Sequence, residues 1–153
     1  MNPRLILRFL GSLAFVEAFF LLCCTVMAFC YAEDDTMAFL ASVVIATTTG
    51  GLFMFLGKGS KQSMSRKDGY VVISASWILF SVIGMFPYLL SRYTSGITDA
   101  FFESVSGFTS TGTSIMDNID TCPHALLFWR SLTQWVGGLG IILFTIALLP
   151  GIS

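Results

Sequence analysis

Charge is scarce in this chain. Only 11% of its 153 residues are Asp, Glu, Lys or Arg, against 55% hydrophobic residues. A soluble domain needs a larger charged share to cover its surface, so this balance excludes an ordinary water-exposed globule and puts the chain in the membrane class. A net charge of −1 offers no basic footprint, and no nucleic-acid partner is expected. Histidine occurs once, at His124, which excludes a histidine pair. With no nucleophile–base pair and no phosphate loop either, neither an enzyme nor a cofactor is expected. Cysteine is limited to Cys23, Cys24, Cys30 and Cys122, without ligand-like spacing to histidine or carboxylate. These read as small buried apolar residues. A Cys30–Cys122 bridge is the alternative if both lie on the outer face.

What the chain does have is long apolar runs. Residues 9–31, 37–56, 70–90 and 124–149 each approach or exceed the roughly 20 residues needed to span a bilayer. The first is too long for a signal peptide, and Glu17 interrupts it. An acidic loop follows, with Glu33, Asp34 and Asp35. Inside the second run, Thr47, Thr48 and Thr49 can bond back to the backbone. Gly50 and Gly51 allow close packing or a kink. The connection 58–69 is strongly basic, with Lys58, Lys61, Arg66 and Lys67. Pro87 kinks or ends the third run. Pro150-Gly151 stops the last. Basic loops remain in the cytoplasm. An even count of crossings puts Arg4, Arg8, Lys58, Lys61, Arg66 and Lys67 on that side. Glu33, Asp34, Asp35, Asp117 and Asp120 then lie on the other. The chain is expected to be a multi-pass protein of the cytoplasmic (inner) membrane with both termini inside.

Between the third and fourth runs, residues 99–114 obey a different rule. Phe101, Phe102, Val105 and Phe108 recur at helical spacing. Thr109, Ser110, Thr111, Gly112, Thr113 and Ser114 then disfavour a helix interior. Asp99 is a suitable N-cap. A half-length helix followed by extended polar backbone survives at membrane depth only if protein buries it or it lines a water-filled path. This is the form of a pore helix with its filter, in which carbonyls of Thr109, Ser110, Thr111, Gly112 and Thr113 face an axis and replace the water shell of a monovalent cation. The negative end of the half-helix dipole favours the same cation. Gly112 supplies backbone freedom. The expected fold is therefore an all-α polytopic membrane protein: four transmembrane helices plus one re-entrant half-helix and filter loop. One such segment cannot enclose an ion, and residues 1–57 hold no second copy. Either four copies assemble, or the other segments belong to a longer chain.

The run Asp99-Ala-Phe-Phe-Glu-Ser-Val-Ser-Gly-Phe-Thr-Ser-Thr-Gly112 resembles the TrkH/KtrB/HKT superfamily of potassium and sodium transporters. So does Leu127-Phe-Trp-Arg-Ser-Leu-Thr-Gln-Trp-Val-Gly-Gly-Leu-Gly-Ile141. Weaker likeness covers 65–69 and 77–87. The resemblance implies four helix–pore loop–helix repeats after two leading helices. Residues 1–57 would then be the leading pair, 58–69 the basic cytoplasmic loop and 70–153 the first repeat, in the N-terminal part of a longer protein. It also implies potassium transport, with sodium as the competing ion, and Gly112 as the filter glycine. Three further pore repeats, a homodimer of the full-length protein, a cytoplasmic nucleotide-binding regulatory subunit and the lipid bilayer are the partners it implies. The competing reading is a small membrane scaffold whose hydroxyl run only packs.

Several other residues carry structural expectations. Arg130 is expected to pair with Glu103 or Asp99 and pin the half-helix. Glu17 is expected to bond Thr47 or Thr48 of the second helix. Gly137, Gly138 and Gly140 are expected to let the last helix approach the half-helix. Trp129 reads as an interface anchor, Trp135 as a packing residue and His124 as a surface residue.

Overall fold

The computed structural model describes residues 2–59, 65–116 and 119–148. Lys61, Asp117 and the expected stop at Pro150-Gly151 lie outside them. Among the described residues six α-helices follow in order: α1 (Pro3–Cys30), α2 (Thr36–Leu56), α3 (Arg66–Gly84), α4 (Phe86–Leu90), α5 (Ile97–Phe108) and α6 (His124–Leu148). A single 3-10 turn, Ile119–Thr121, precedes α6. Among the described residues no strand occurs. Pro3–Cys30, Thr36–Leu56 and the stretch Lys67–Leu90 are each long and apolar enough to cross a membrane. At 25 residues, α6 also has the length to do so. The chain is an all-helical, multi-pass membrane protein.

The helix starts lie earlier than hydropathy alone suggests. α1 begins at Pro3, whose missing N–H costs nothing in a first turn. Its 28 residues extend about 42 Å, past the ~30 Å hydrocarbon core, so Arg4 and Arg8 belong to the helix. α3 begins at Arg66 rather than at residue 70 because Ser65 and Asp68 form a capping box. The Ser65 side chain accepts from the Asp68 amide at 3.2 Å, and Asp68 Oδ2 accepts from the Ser65 amide at 3.2 Å. The other Asp68 oxygen accepts from the Asn2 amide at 3.1 Å, which ties the start of α1 to the start of α3. α2 runs unbroken through Gly50-Gly51. Gly50 serves close packing there: a Cβ on it would lie 3.1 Å from the carbonyl oxygen of Gly11 on α1. α3 stops at Gly84, and α4 resumes with Pro87 in its first turn.

At the opposite end of the bundle, Glu33 from the α1–α2 loop caps α6. Its carboxylate accepts from the amides of His124, at 2.6 Å, and Ala125, at 3.1 Å. It also meets His124 Nδ1 at 2.9 Å, while the His124 ring stacks on Tyr31. His124 is therefore a surface residue with a partner. Cys30 is exposed and Cys122 buried, and no disulfide joins them. Two interlocks thus tie the ends of the bundle: Asn2 to Asp68 at one, Glu33 to the start of α6 at the other.

Burial raises the proton affinity of Glu33, but the Ala125 amide and the His124 side chain and amide outweigh it, leaving the acid below the ordinary carboxylate range. A depressed folded value means the cap contributes fully above the ordinary carboxylate value and fades as pH falls through the folded one. Glu33→Ala is expected to cost about 1 kcal/mol at neutral pH. The gap from wild type should narrow as pH falls below the ordinary carboxylate range in detergent-solubilised unfolding. A gap that stays constant over that range refutes the cap.

Candidate functional site

The site is built on α5 and the chain that follows it. Gly96, not Asp99, is the N-cap of α5; Asp99 lies in the first turn, where its charge complements the helix dipole. The helix ends at Phe108, whose ring stacks on Phe80 at 5.4 Å between centroids and meets Trp129 edge-on at 6.2 Å. The turn after it is a Schellman motif. The Thr111 amide donates to Ser106 O at 3.0 Å and the Ser110 amide to Gly107 O at 2.8 Å. Its left-handed position, usually glycine, holds Ser110 at φ 55°.

From there the chain retraces its path beside α6. A Cβ on Gly137 would collide with the Phe108 carbonyl oxygen. Ser110 Oγ donates to Gln134 O at 3.0 Å. Arg130 donates to Gly112 O at 2.9 Å. The partners step backward along α6, from 137 through 134 to 130. Gly137 lies about 20 Å along α6 from its start, so the half-helix reaches roughly mid-depth and residues 109–113 climb out again. The segment is re-entrant.

One buried carboxylate holds the climb in place. Glu103, 1% exposed, accepts from Ser114 Oγ at 2.6 Å and from the Ile115 amide. Its Oε2 faces Arg130 Nε at 3.5 Å. Arg130 therefore links Glu103 to the Gly112 carbonyl. Ser106 Oγ donates to Thr113 O at 2.6 Å. Two of the five carbonyls expected to face an axis thus each accept a protein donor. Those of Thr109, Ser110 and Thr111 accept no hydrogen bond among the described residues. All five residues of the run are exposed, and Gly112 sits at φ 75°.

The glycines of α6 divide their work. Gly137 is the close approach to α5, whereas a Cβ on Gly138 would only touch Ser110 Oγ, at 3.7 Å. Gly140 faces Trp77 of α3, at 3.4 Å, rather than the half-helix. Trp129 is not an interface anchor, and Trp135, though its ring meets Phe20 edge-on at 6.5 Å, is mostly exposed. Trp129 is 1% exposed and donates to Gly84 O at 3.1 Å, while Trp135 is 58% exposed. Glu17 does not reach Thr47 or Thr48, whose hydroxyls bond back to Val43 and Val44 carbonyls. Ser106 and Gln134 carry bonds that no sequence signal singles out, because a helical serine and a backbone carbonyl look ordinary in sequence. Among the described residues no cluster of His, Cys, Asp or Glu could hold a metal ion.

Comparison with known proteins bears on this architecture. The TrkH family, described as cation transport protein, matches residues 35–153. The chain is 32% identical over 151 residues to the Trk system potassium uptake protein TrkH of Escherichia coli (strain K12), covering 98% of this chain and 31% of that protein. It is 35% identical over 150 residues to the Trk system potassium uptake protein TrkG of the same organism, covering 97% and 31%. The crystal structure of the potassium transporter TrkH from Vibrio parahaemolyticus superimposes with a TM-score of 0.90 at 30% identity. That match covers 98% of this chain and 32% of the solved one. The chain spans 31% of the length of these E. coli relatives.

Removing Glu103 leaves a cation without its counter-charge and two donors without an acceptor. Glu103→Ala is expected to destabilise by about 3 kcal/mol, measured by thermal unfolding in detergent. Replacing Arg130 by methionine as well should recover part of that loss. If the double variant falls by the sum of the two single losses, the pair does not act as a unit.

Proposed function

The chain belongs to the TrkH family of cation transport proteins, and from that membership we propose that it supplies one quarter of a potassium-conducting pore. In this reading 1–57 is the leading helix pair, 58–69 the basic cytoplasmic connection and 70–153 the first of four repeats. The basic end of the bundle faces the cytoplasm of the cell's inner membrane, with both termini there.

The observation that carries the reading is the return run. Carbonyls of Thr109, Ser110 and Thr111 lack protein donors among the described residues and lie on an exposed face at mid-depth. Such oxygens replace the water lost by an entering ion. The carbonyls of Gly112 and Thr113 each retain a second lone pair for the same purpose. The α5 C-terminus adds partial negative charge. The uncharged donor set suits a monovalent ion that must also leave, and the relatives are named for potassium uptake; sodium is the competing ion. Three further repeats complete the ring in the rest of a longer chain, in keeping with relatives three times this length. By family resemblance the full-length protein forms a homodimer on a cytoplasmic nucleotide-binding subunit.

The test is flux. A full-length protein carrying this segment, reconstituted in liposomes, should take up rubidium, a potassium analogue. Gly112→Val puts a β-branched residue at φ 75° and should abolish uptake or erase its preference over sodium. Unchanged, selective uptake would remove the filter assignment and return the chain to a scaffold.

A further inference from the structure

Glu17 is a buried acid that the filter site does not use. It lies midway along α1 at 2% exposure, and neither carboxyl oxygen has a hydrogen-bond partner among the described residues. It is aimed at the half-helix. Glu17 borders a cavity of about 10 Å³ whose walls, Phe80, Phe108, Trp129, Leu132 and Val136 among them, are mostly apolar. Phe108 is the last residue of α5, immediately before the return run.

Ser104, one turn earlier on α5, has the same unmet need. It is fully buried, and its hydroxyl also lacks a partner. The two groups converge on one point. A Cβ on Gly84 would meet Phe108 at 2.6 Å, Ser104 Oγ at 2.8 Å and Glu17 Oε1 at 3.3 Å. The Gly84 carbonyl is meanwhile held by Trp129 of α6. Four helices therefore meet at the end of α3, and the absent side chain of Gly84 leaves room for a carboxyl and a hydroxyl. Buried polar atoms left unbonded are costly.

We propose that Glu17 is a positioning residue for the half-helix, joined to Ser104 by one hydrogen-bonded bridge in the space beside Gly84. The leading helix then helps to set the depth of the α5 terminus and so the spacing of the carbonyls beyond it. This rests on the filter reading above and extends it to a helix outside the repeat.

The test uses the full-length protein in liposomes, with rubidium and sodium uptake measured for each variant. Glu17→Leu and Ser104→Ala should each lower the rubidium-over-sodium ratio about five-fold, the usual worth of a lost hydrogen bond. The double variant should fall no further than either single one, because the two side chains share one bridge. Glu17→Gln, which keeps an acceptor of the same length, should retain the wild-type ratio. An unchanged ratio in Glu17→Leu, or two losses that add, overturns the proposal. If Glu17→Leu fails to assemble, Ser104→Ala decides alone: a fallen ratio supports the bridge and an unchanged one overturns it. Gly112→Val separates the two readings. If it alters selectivity while Glu17→Leu and Ser104→Ala do not, the bridge fails and the filter stands. If it alters nothing, the filter reading itself fails.

Discussion

A carboxylate buried at membrane depth must find its partners within the protein, because a charge left unpaired there is costly. Glu103 meets that demand from three directions: a serine hydroxyl, a backbone amide and a guanidinium. The first two belong to residues 114 and 115, the far end of the return run. The third belongs to α6 and also donates, through Nη2, to the Gly112 carbonyl. Extended backbone has no helix of its own to satisfy it at depth. Here its end is fastened to the half-helix that precedes it and its middle to the helix that follows. The charge of Arg130 is met locally by Glu103, so the positive group beside the run is compensated.

The approach of helices follows from absent side chains. Gly137 admits the Phe108 carbonyl, Gly107 admits Thr133, and Gly84 admits the Phe108 ring with Ser104 and Glu17 beside it. All three contacts surround the last turn of α5. Lipid tails are as apolar as leucine, so helices in a bilayer gain little from hydrophobic burial and much from close van der Waals contact. The half-helix is thus clamped at its deep end, where its dipole terminates.

Much of this was legible in the chain. The spans, the half-helix and its end at Phe108 follow from apolar periodicity and from a run of hydroxyl-bearing residues poor at continuing a helix. The early start of α3 was also readable, as Ser65 with Asp68 three residues on, but it sits in a basic stretch that hydropathy treats as loop. Other features were not legible. Spacing suggests that Arg130 needs an acid without saying which of its three guanidinium nitrogens meets a carbonyl. A left-handed serine at 110 runs against residue preference, and its hydrogen bond to Gln134 is made only once α6 is alongside.

Residue order alone determined that these helices cross a membrane and that one segment stops halfway, because lipid forces each stretch to satisfy its own backbone. Which face of each helix turns inward was decided only by the assembled bundle. Trp129 and Trp135 stand six residues apart, about 240° around the helix, and so do Gly11 and Glu17. Periodicity therefore says that the members of each pair point apart. Only the packing says that Trp129 is buried while Trp135 is exposed, and that Glu17 faces the half-helix while Gly11 faces α2.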